Sequence, residues 1–336
     1  MGNISNRKEN YKRILSSYMK KHDEQSLYLG QQLIRTMIEQ GITPEEVVKL
    51  HVDALMELCD FVDNEIKSSF DFLLEMMLDF GFAYREHQSL RNRQQQLDAE
   101  IEIAASMQQT LLIGDVPKID SLDIGVISQP SKKMNGDYYH FVQDEKDRVS
   151  IAVADIIGKG IPAALCMSMI KYAMDSLPDQ RTKPGAMLGN LNRVVEQNVD
   201  DSMFITMFYG LYDPAIHRFF YASAGHEPGF LYQKKTETFH ELMTKGIVLG
   251  VAKDANYPEY ELNVERGDMV VLLSDGVTEC RSENGFIQRE AVTALIRKYE
   301  HLPAQQIVEE VFFELEKLQN FELRDDFTLI IFRRNV

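Results

Sequence analysis

Three patterns of apolar residues succeed one another along the chain. From about Glu9 to Tyr84 they recur at three- and four-residue spacing, as in Tyr11, Ile14, Leu15 and Tyr18 and again in Leu29, Leu33, Met37 and Ile38. That is the spacing of amphipathic helices. Gly41 closes one helix and Thr43-Pro44-Glu45-Glu46 opens the next, with Thr43 at the N-cap and Pro44 at the first helical position, where its missing N–H is no loss. Val47, Leu50, Ala54, Leu55 and Leu58 carry the stripe on. The pattern predicts a bundle of about four helices over residues 1–84, and a core that small favours dimerisation.

A second pattern follows without a break: Leu73, Met76, Phe80, Ala83, His87, Leu90, Gln94, Leu97, Ile101, Ala104, Gln108 and Leu111. This is a heptad register running from the last bundle helix through residues 85–115. It fits either a solvent-exposed connecting helix or a parallel dimeric coiled coil. In the second case His87, Gln94 and Gln108 face the partner, and polar seam residues fix register at a cost in stability. Such a coil is weak by itself and can be switched.

From residue 116 to 336 strand-like and helix-like segments alternate. Strands are predicted at 122–127, 150–154, 204–209, 218–222, 230–232 and 269–273, with a further apolar run at Phe327-Thr328-Leu329-Ile330-Ile331. Longer helices are predicted at 161–177, 187–198 and 303–318. Strands come in clusters with helices between them, which favours an α+β arrangement of packed sheets with helices outside over a doubly wound parallel sheet. Met167, Met169, Tyr172 and Met174 fit the packed face of the first of these helices.

Composition narrows the function. Of the 336 residues 52 are acidic and 36 basic, a formal charge of −16, which speaks against a nucleic-acid surface. The three cysteines, Cys59, Cys166 and Cys280, are scattered and suggest neither a disulfide frame nor a zinc site. No apolar leader opens the N-terminus and no run reaches membrane-spanning length, so a cytoplasmic protein is expected.

The candidate chemistry lies in the acids. Val153-Ala154-Asp155 and Leu273-Ser274-Asp275-Gly276 each end an apolar run on an aspartate; Asp137 stands in Asn135-Gly136-Asp137-Tyr138-Tyr139, and Asp325-Asp326 precedes the last apolar run. Carboxylates at strand ends, with no cysteine beside them, are the ligand type of a hard divalent cation such as Mg²⁺ or Mn²⁺. Singly, each is equally well a turn or capping aspartate. Gly158-Lys159-Gly160 lacks the spacing of a phosphate-binding loop.

Together the blocks are specific. Gly136-Asp137-Tyr138-Tyr139, the run Ala154-Asp155-Ile156-Ile157-Gly158-Lys159-Gly160-Ile161-Pro162-Ala163-Ala164, Tyr221-Ala222-Ser223-Ala224-Gly225-His226-Glu227-Pro228, Leu273-Ser274-Asp275-Gly276-Val277-Thr278-Glu279 and Asp325-Asp326-Phe327-Thr328 occur in the order of the PPM-type serine/threonine phosphatases of the SpoIIE branch. The resemblance covers about the last two-thirds of the chain. The bundle and linker before it resemble those of the phosphatases in the general stress-response (sigma-B) partner-switching pathway.

The resemblance implies an αββα sandwich with two Mn²⁺ or Mg²⁺ ions. Asp155 would bridge both ions, the carbonyl of Ile156 would hold one, and Asp275 with Asp325 would bind the second; Asp155 and Asp275 are thus the candidate catalytic residues. Asp137 would act directly or through water, and Asp326 is the alternative to its neighbour Asp325. His140 stands where the family often has a second acid, and Asn135 where glycine is common. The implied reaction is hydrolysis of phosphoserine on an anti-anti-sigma factor, a small STAS-domain protein, after a switch kinase binds the N-terminal bundle. Lys159 and Arg281 are the candidate phosphate-binding cations, and His226 is expected to shape a turn rather than to act as an acid. Two other classes compete: a catalytically inactive adaptor on a phosphatase scaffold, and a metal-dependent hydrolase of a small phosphorylated molecule.

Overall fold

A computed structural model describes the chain apart from residues 1, 60–62, 113, 115, 158–159, 178–180, 182, 200–202, 244, 283–284, 322 and 336. It divides into two compact units, Met1–Asp98 and Ala99–Val336. The division falls inside the expected linker.

Helices α1 (Gly2–Lys21), α2 (Glu24–Glu39) and α3 (Pro44–Leu58) and the first part of α4 (Asn64–Leu112) make the first unit. The break between α1 and α2 falls at His22, whose φ is 49°, and Asp23, whose carboxylate accepts the Ser26 N–H at 2.8 Å. Both are helix-boundary chemistry. At the start of α3 the Glu46 carboxylate accepts the Thr43 N–H at 2.9 Å, one half of a capping box, and Pro44 is the first helical residue as predicted. Among the described apolar side chains of this unit only Met37 and Ala54 are buried.

Leu73, Met76, Phe80, Leu90 and Leu97 of the heptad series are exposed along α4. The series does not continue as a uniform seam. Gln108, expected to face a partner, is instead buried at 2% exposure, because its amide bonds to the backbone of Asn135 in the same unit.

The second unit contains β1 (Leu122–Gln129), β2 (Asp137–Gln143), β3 (Val149–Ile156), α5 (Ile161–Ser176), α6 (Pro184–Asn198), β4 (Ile205–Asp213), β5 (Arg218–Ala224), β6 (Phe230–Gln233), β7 (Thr238–Glu241), β8 (Tyr260–Asn263), β9 (Met269–Leu273), α7 (Asp275–Thr278), β10 (Arg281–Ser282), β11 (Gly285–Phe286), α8 (Arg289–Tyr299), α9 (Ala304–Leu318) and β12 (Phe327–Arg334). Two five-stranded antiparallel sheets form, in the orders β1-β12-β9-β6-β7 and β2-β3-β4-β5-β8.

Strand period decides the layering, because successive side chains point to opposite faces. Ile151 and Val153 of β3 pack between the sheets with Val270 and Leu272 of β9 and Ile330 and Phe332 of β12. Their neighbours Ala152, Ala154 and Ile156 turn outward onto Met167, Ile170 and Met174 of α5 and Leu188 and Leu191 of α6. On the far side Val271, Leu273, Leu329 and Ile331 meet Val292 and Ile296 of α8 and Val308 and Val311 of α9. Strands apolar on both faces therefore hold a four-layer αββα sandwich, each fully buried aliphatic contributing about 1.5–3 kcal/mol.

Candidate metal centre

The acids lie where the inner faces of the two sheets open at one end of the sandwich. Asp137 begins β2 and pairs directly with Asp155 near the end of β3, so the two carboxylates share a face. Asp155 pairs in turn with Thr206 of β4, whose hydroxyl is 2.9 Å from His226 Nδ1. From the other sheet come Ser274, Asp275, Asp325 and Asp326, at the end of β9 and the start of β12. The Ser274 N–H donates to the Thr328 carbonyl and the Thr328 N–H to Ser274 Oγ, each at 3.0 Å, clamping those two strand ends together.

Asp137 is the link between the sheets. The hydroxyls of Ser274 and Thr328 lie close enough to lower its pKa, while its Oδ2 is buried with no hydrogen-bond partner. Burial, with Asp155 and Asp326 nearby, drives its carboxyl well above the usual range despite those hydroxyls. Asp275 is also raised, first by burial and then by Asp325 and Glu279. The acids thus form two neighbouring groups, Asp137 with Asp155 and Asp326, and Asp275 with Asp325.

The adjacent aspartates have different surroundings. Asp326 is buried, and its oxygens accept the Ser131 N–H at 2.7 Å, the Ser131 hydroxyl at 2.8 Å and the Gly136 N–H at 2.6 Å. Asp325 is exposed and accepts the N–H of Asp326 at 3.0 Å.

A side chain at position 136 would fill the site. A Cβ there would lie 3.0 Å from Asp326 Oδ2, 3.5 Å from Asp155 Oδ1 and 3.7 Å from the Ile156 carbonyl oxygen, so glycine keeps that space open to three oxygens from two segments. Carboxylates and a carbonyl, with one buried carboxylate oxygen unbonded, are a donor set that fits a hard divalent cation. Among the described residues no three Asp, Glu, His or Cys side chains are closed into a finished cation cage. The carboxylates flank a common region.

His140 lies on the opposite face of β2 from Asp137. It stacks on Tyr138 and its Nε2 is 3.1 Å from Asp175 on α5, so it adds no ligand to the acid cluster. His226 follows Gly225, whose φ of 66° makes the turn, and its N–H donates to Ser223 Oγ at 3.2 Å. Burial pushes its imidazole down to about 4, which favours the neutral ring near pH 7. Lys159, and the Gly158-Lys159 part of its loop, lie outside the described residues, and so does the side chain of Arg281.

The site also contains groups that the sequence analysis did not assign. Ser131 and Gln108 escape any motif, since a lone serine in a polar turn and a glutamine in a heptad carry no distinguishing signal. Glu227 and Arg289 form an ion pair, and Thr278 Oγ1 donates to Glu227 at 2.9 Å on the Asp275 side.

The chain matches the family described as Stage II sporulation protein E (SpoIIE) over residues 145–335, and that described as the phosphoserine phosphatase RsbU N-terminal domain over residues 9–83. The phosphoserine phosphatase RsbU of Bacillus subtilis (strain 168) is 54% identical over 328 residues, 98% of each chain. Among solved structures, the SiaA-PP2C domain of Pseudomonas aeruginosa superposes with a TM-score of 0.62 at 19% identity, covering 72% of this chain and 99% of that one. RsbX in complex with magnesium gives 0.50 at 17% identity, covering 66% and 99%.

Proposed function

Because the chain belongs to the SpoIIE-type PPM phosphatases, in the group of the phosphoserine phosphatase RsbU, we propose that it removes phosphate from a serine of a small STAS-domain anti-anti-sigma protein, using two Mn²⁺ or Mg²⁺ ions. It is a PPM-type serine/threonine phosphatase on an αββα scaffold. Divalent cations supply charge for the phosphoryl oxygens and an activated water, so that no protein nucleophile is required. Asp155 would hold both ions, the Ile156 carbonyl and Asp137 would serve one of them, and Asp275 with Asp325 the other. Asp326, occupied by Ser131 and Gly136, would orient the turn that carries Asp137. Magnesium in the complex of RsbX, a protein of the same fold, supports the choice of a hard cation for this chain.

The observation that carries this reading is the convergence of Asp155, Asp326 and the Ile156 carbonyl around Gly136, beside the unbonded oxygen of buried Asp137. An inactive scaffold has no use for buried, mutually repelling carboxylates. Asp155→Asn is expected to leave the fold intact, to abolish Mn²⁺ uptake by calorimetry and to lower turnover of a phosphoserine protein by about 10²–10³-fold or more. Normal uptake in that variant would remove the assignment.

The first unit would bind the activating switch kinase. Its thin core and the exposed Leu73, Met76, Phe80, Leu90 and Leu97 support a homodimer through bundle and linker, ordered when the kinase binds. Among the described residues no helix is long and apolar enough to cross a membrane, and with the charge of −16 this supports a cytoplasmic protein without nucleic-acid partners.

A further inference from the structure

Gln108, near the end of α4, bonds to Asn135 as a neighbouring strand would. Its Oε1 accepts the Asn135 N–H at 2.9 Å and its Nε2 donates to the Asn135 carbonyl at 2.6 Å; the same nitrogen is 3.2 Å from Met167 Sδ on α5. A carboxamide offers one donor and one acceptor side by side, the pattern of a single backbone residue. β2 is an edge strand, so the backbone leading into it has no ladder partner on that side. The helix supplies the missing residue.

Asn135 opens the acid-bearing turn. Next to it the Gly136 N–H donates to Asp326 Oδ2 at 2.6 Å, and the Gly136 carbonyl accepts the Ile156 N–H at 3.1 Å. The Asn135 side chain accepts the Asp137 N–H at 3.0 Å and donates to Ser128 Oγ at 3.1 Å, and that hydroxyl is 3.0 Å from Thr328 Oγ1. Every one of these bonds leads to an acid of the cluster or to the strand end that carries one.

We infer that Gln108 is a positioning residue for the cation centre: its amide sets the Asn135–Asp137 turn, and through it the relative placement of Asp137, Asp326 and the Ile156 carbonyl. This rests on the metal-centre reading above. A buried amide is tolerated where both its halves are bonded, and here they are bonded to one backbone residue. A helix turns 100° per residue, so a change in the rotation of this end of α4 withdraws the amide from the turn altogether. The rotational setting of the helix and the geometry of the acids are therefore one variable.

The test uses the full chain as parent, Gln108→Met, and the exposed neighbour Gln109→Met as control. Methionine keeps the unbranched length and removes the amide. Backbone amide exchange is followed in metal-free protein, and Mn²⁺ uptake by calorimetry alongside turnover against Mn²⁺ concentration. Gln108→Met is expected to stay folded, with the Gly136 and Ile156 amides exchanging about tenfold faster or more. Its Mn²⁺ affinity should fall about tenfold, the lower end for losing a group that orients a ligand, while kcat at saturating Mn²⁺ stays near that of the parent. Gln109→Met should match the parent throughout. If only the Asn135 amide exchanges faster and Mn²⁺ affinity is unchanged, Gln108 merely plugs a strand edge and the inference is overturned. Should Gln108→Met not fold, Gln108→Asn, one methylene too short to reach Asn135, is read against the same two outcomes. Absence of Mn²⁺ uptake by the parent would instead sink the metal-centre reading itself.

Discussion

Asp137 and Asp326 are both buried acids, and their surroundings give them different work. Asp326 is met by three donors, which satisfy its two oxygens within the folded chain. Asp137 keeps an oxygen with no partner and a raised carboxyl, so it gains most from a neighbouring cation. His226 is the complementary case, a buried neutral base at the end of the same row of side chains. Its folded value of about 4 lies below the ordinary 6.5, so between those limits the unfolded chain binds more protons than the folded one. Stability is therefore full above pH 6.5 and is lost as pH falls toward 4. The effect should be about 2 kcal/mol between pH 7 and pH 5. Urea unfolding in EDTA at those two pH values, for parent and His226→Gln, isolates it from the titrating carboxylates. The parent's advantage over the variant should shrink by that amount at pH 5, and a constant difference would show that His226 is not held neutral.

At the scale of elements, what was legible depended on period. The β3, β4 and β9 strands stood out because they are apolar on both faces, and α6 and α9 because their stripes are long. β2 is absent from the predicted strands because it opens on Gly136-Asp137, which suits a turn, although its aromatic run packs in register against β3. α8 is absent from the predicted helices, although Val292, Leu295, Ile296 and Tyr299 recur at three- and four-residue spacing and pack together under the sheet. The candidate ligands were legible as motifs, but cross-strand pairing of Asp137 with Asp155 needs the register, and the role of Gln108 needs the fold. In the sequence Gln94 and Gln108 look alike, each a polar break in a heptad; in the structure Gln94 is exposed and Gln108 is not. Leucine at position 94 is thus expected to strengthen a dimeric seam without touching the acid-bearing turn. Gln94→Leu should raise both the dimer fraction in sedimentation experiments and turnover without the activating partner. Unchanged values of both would leave α4 a single connecting helix.

For the molecule as a whole, every acid proposed to hold a cation falls between Asp137 and Asp326, inside the unit Ala99–Val336, and none falls in Met1–Asp98. Binding to a folded site stabilises only the unit that contains it, by about 2.7 kcal/mol when free cation is a hundred times its dissociation constant. For a unit of this size each kcal/mol moves the melting temperature by about 2–4 °C. Scanning calorimetry of the full chain should therefore show the larger unit's transition rising by about 5–10 °C from EDTA to saturating Mn²⁺, with the transition of the helical unit fixed. Asp155→Asn should remove the rise without lowering the metal-free transition, since it relieves repulsion with Asp137. A shift of both transitions together would mean that the cation acts through the molecule's surplus of negative charge and not at the strand ends. No shift at all would mean that the carboxylates brought together there do not bind the ion.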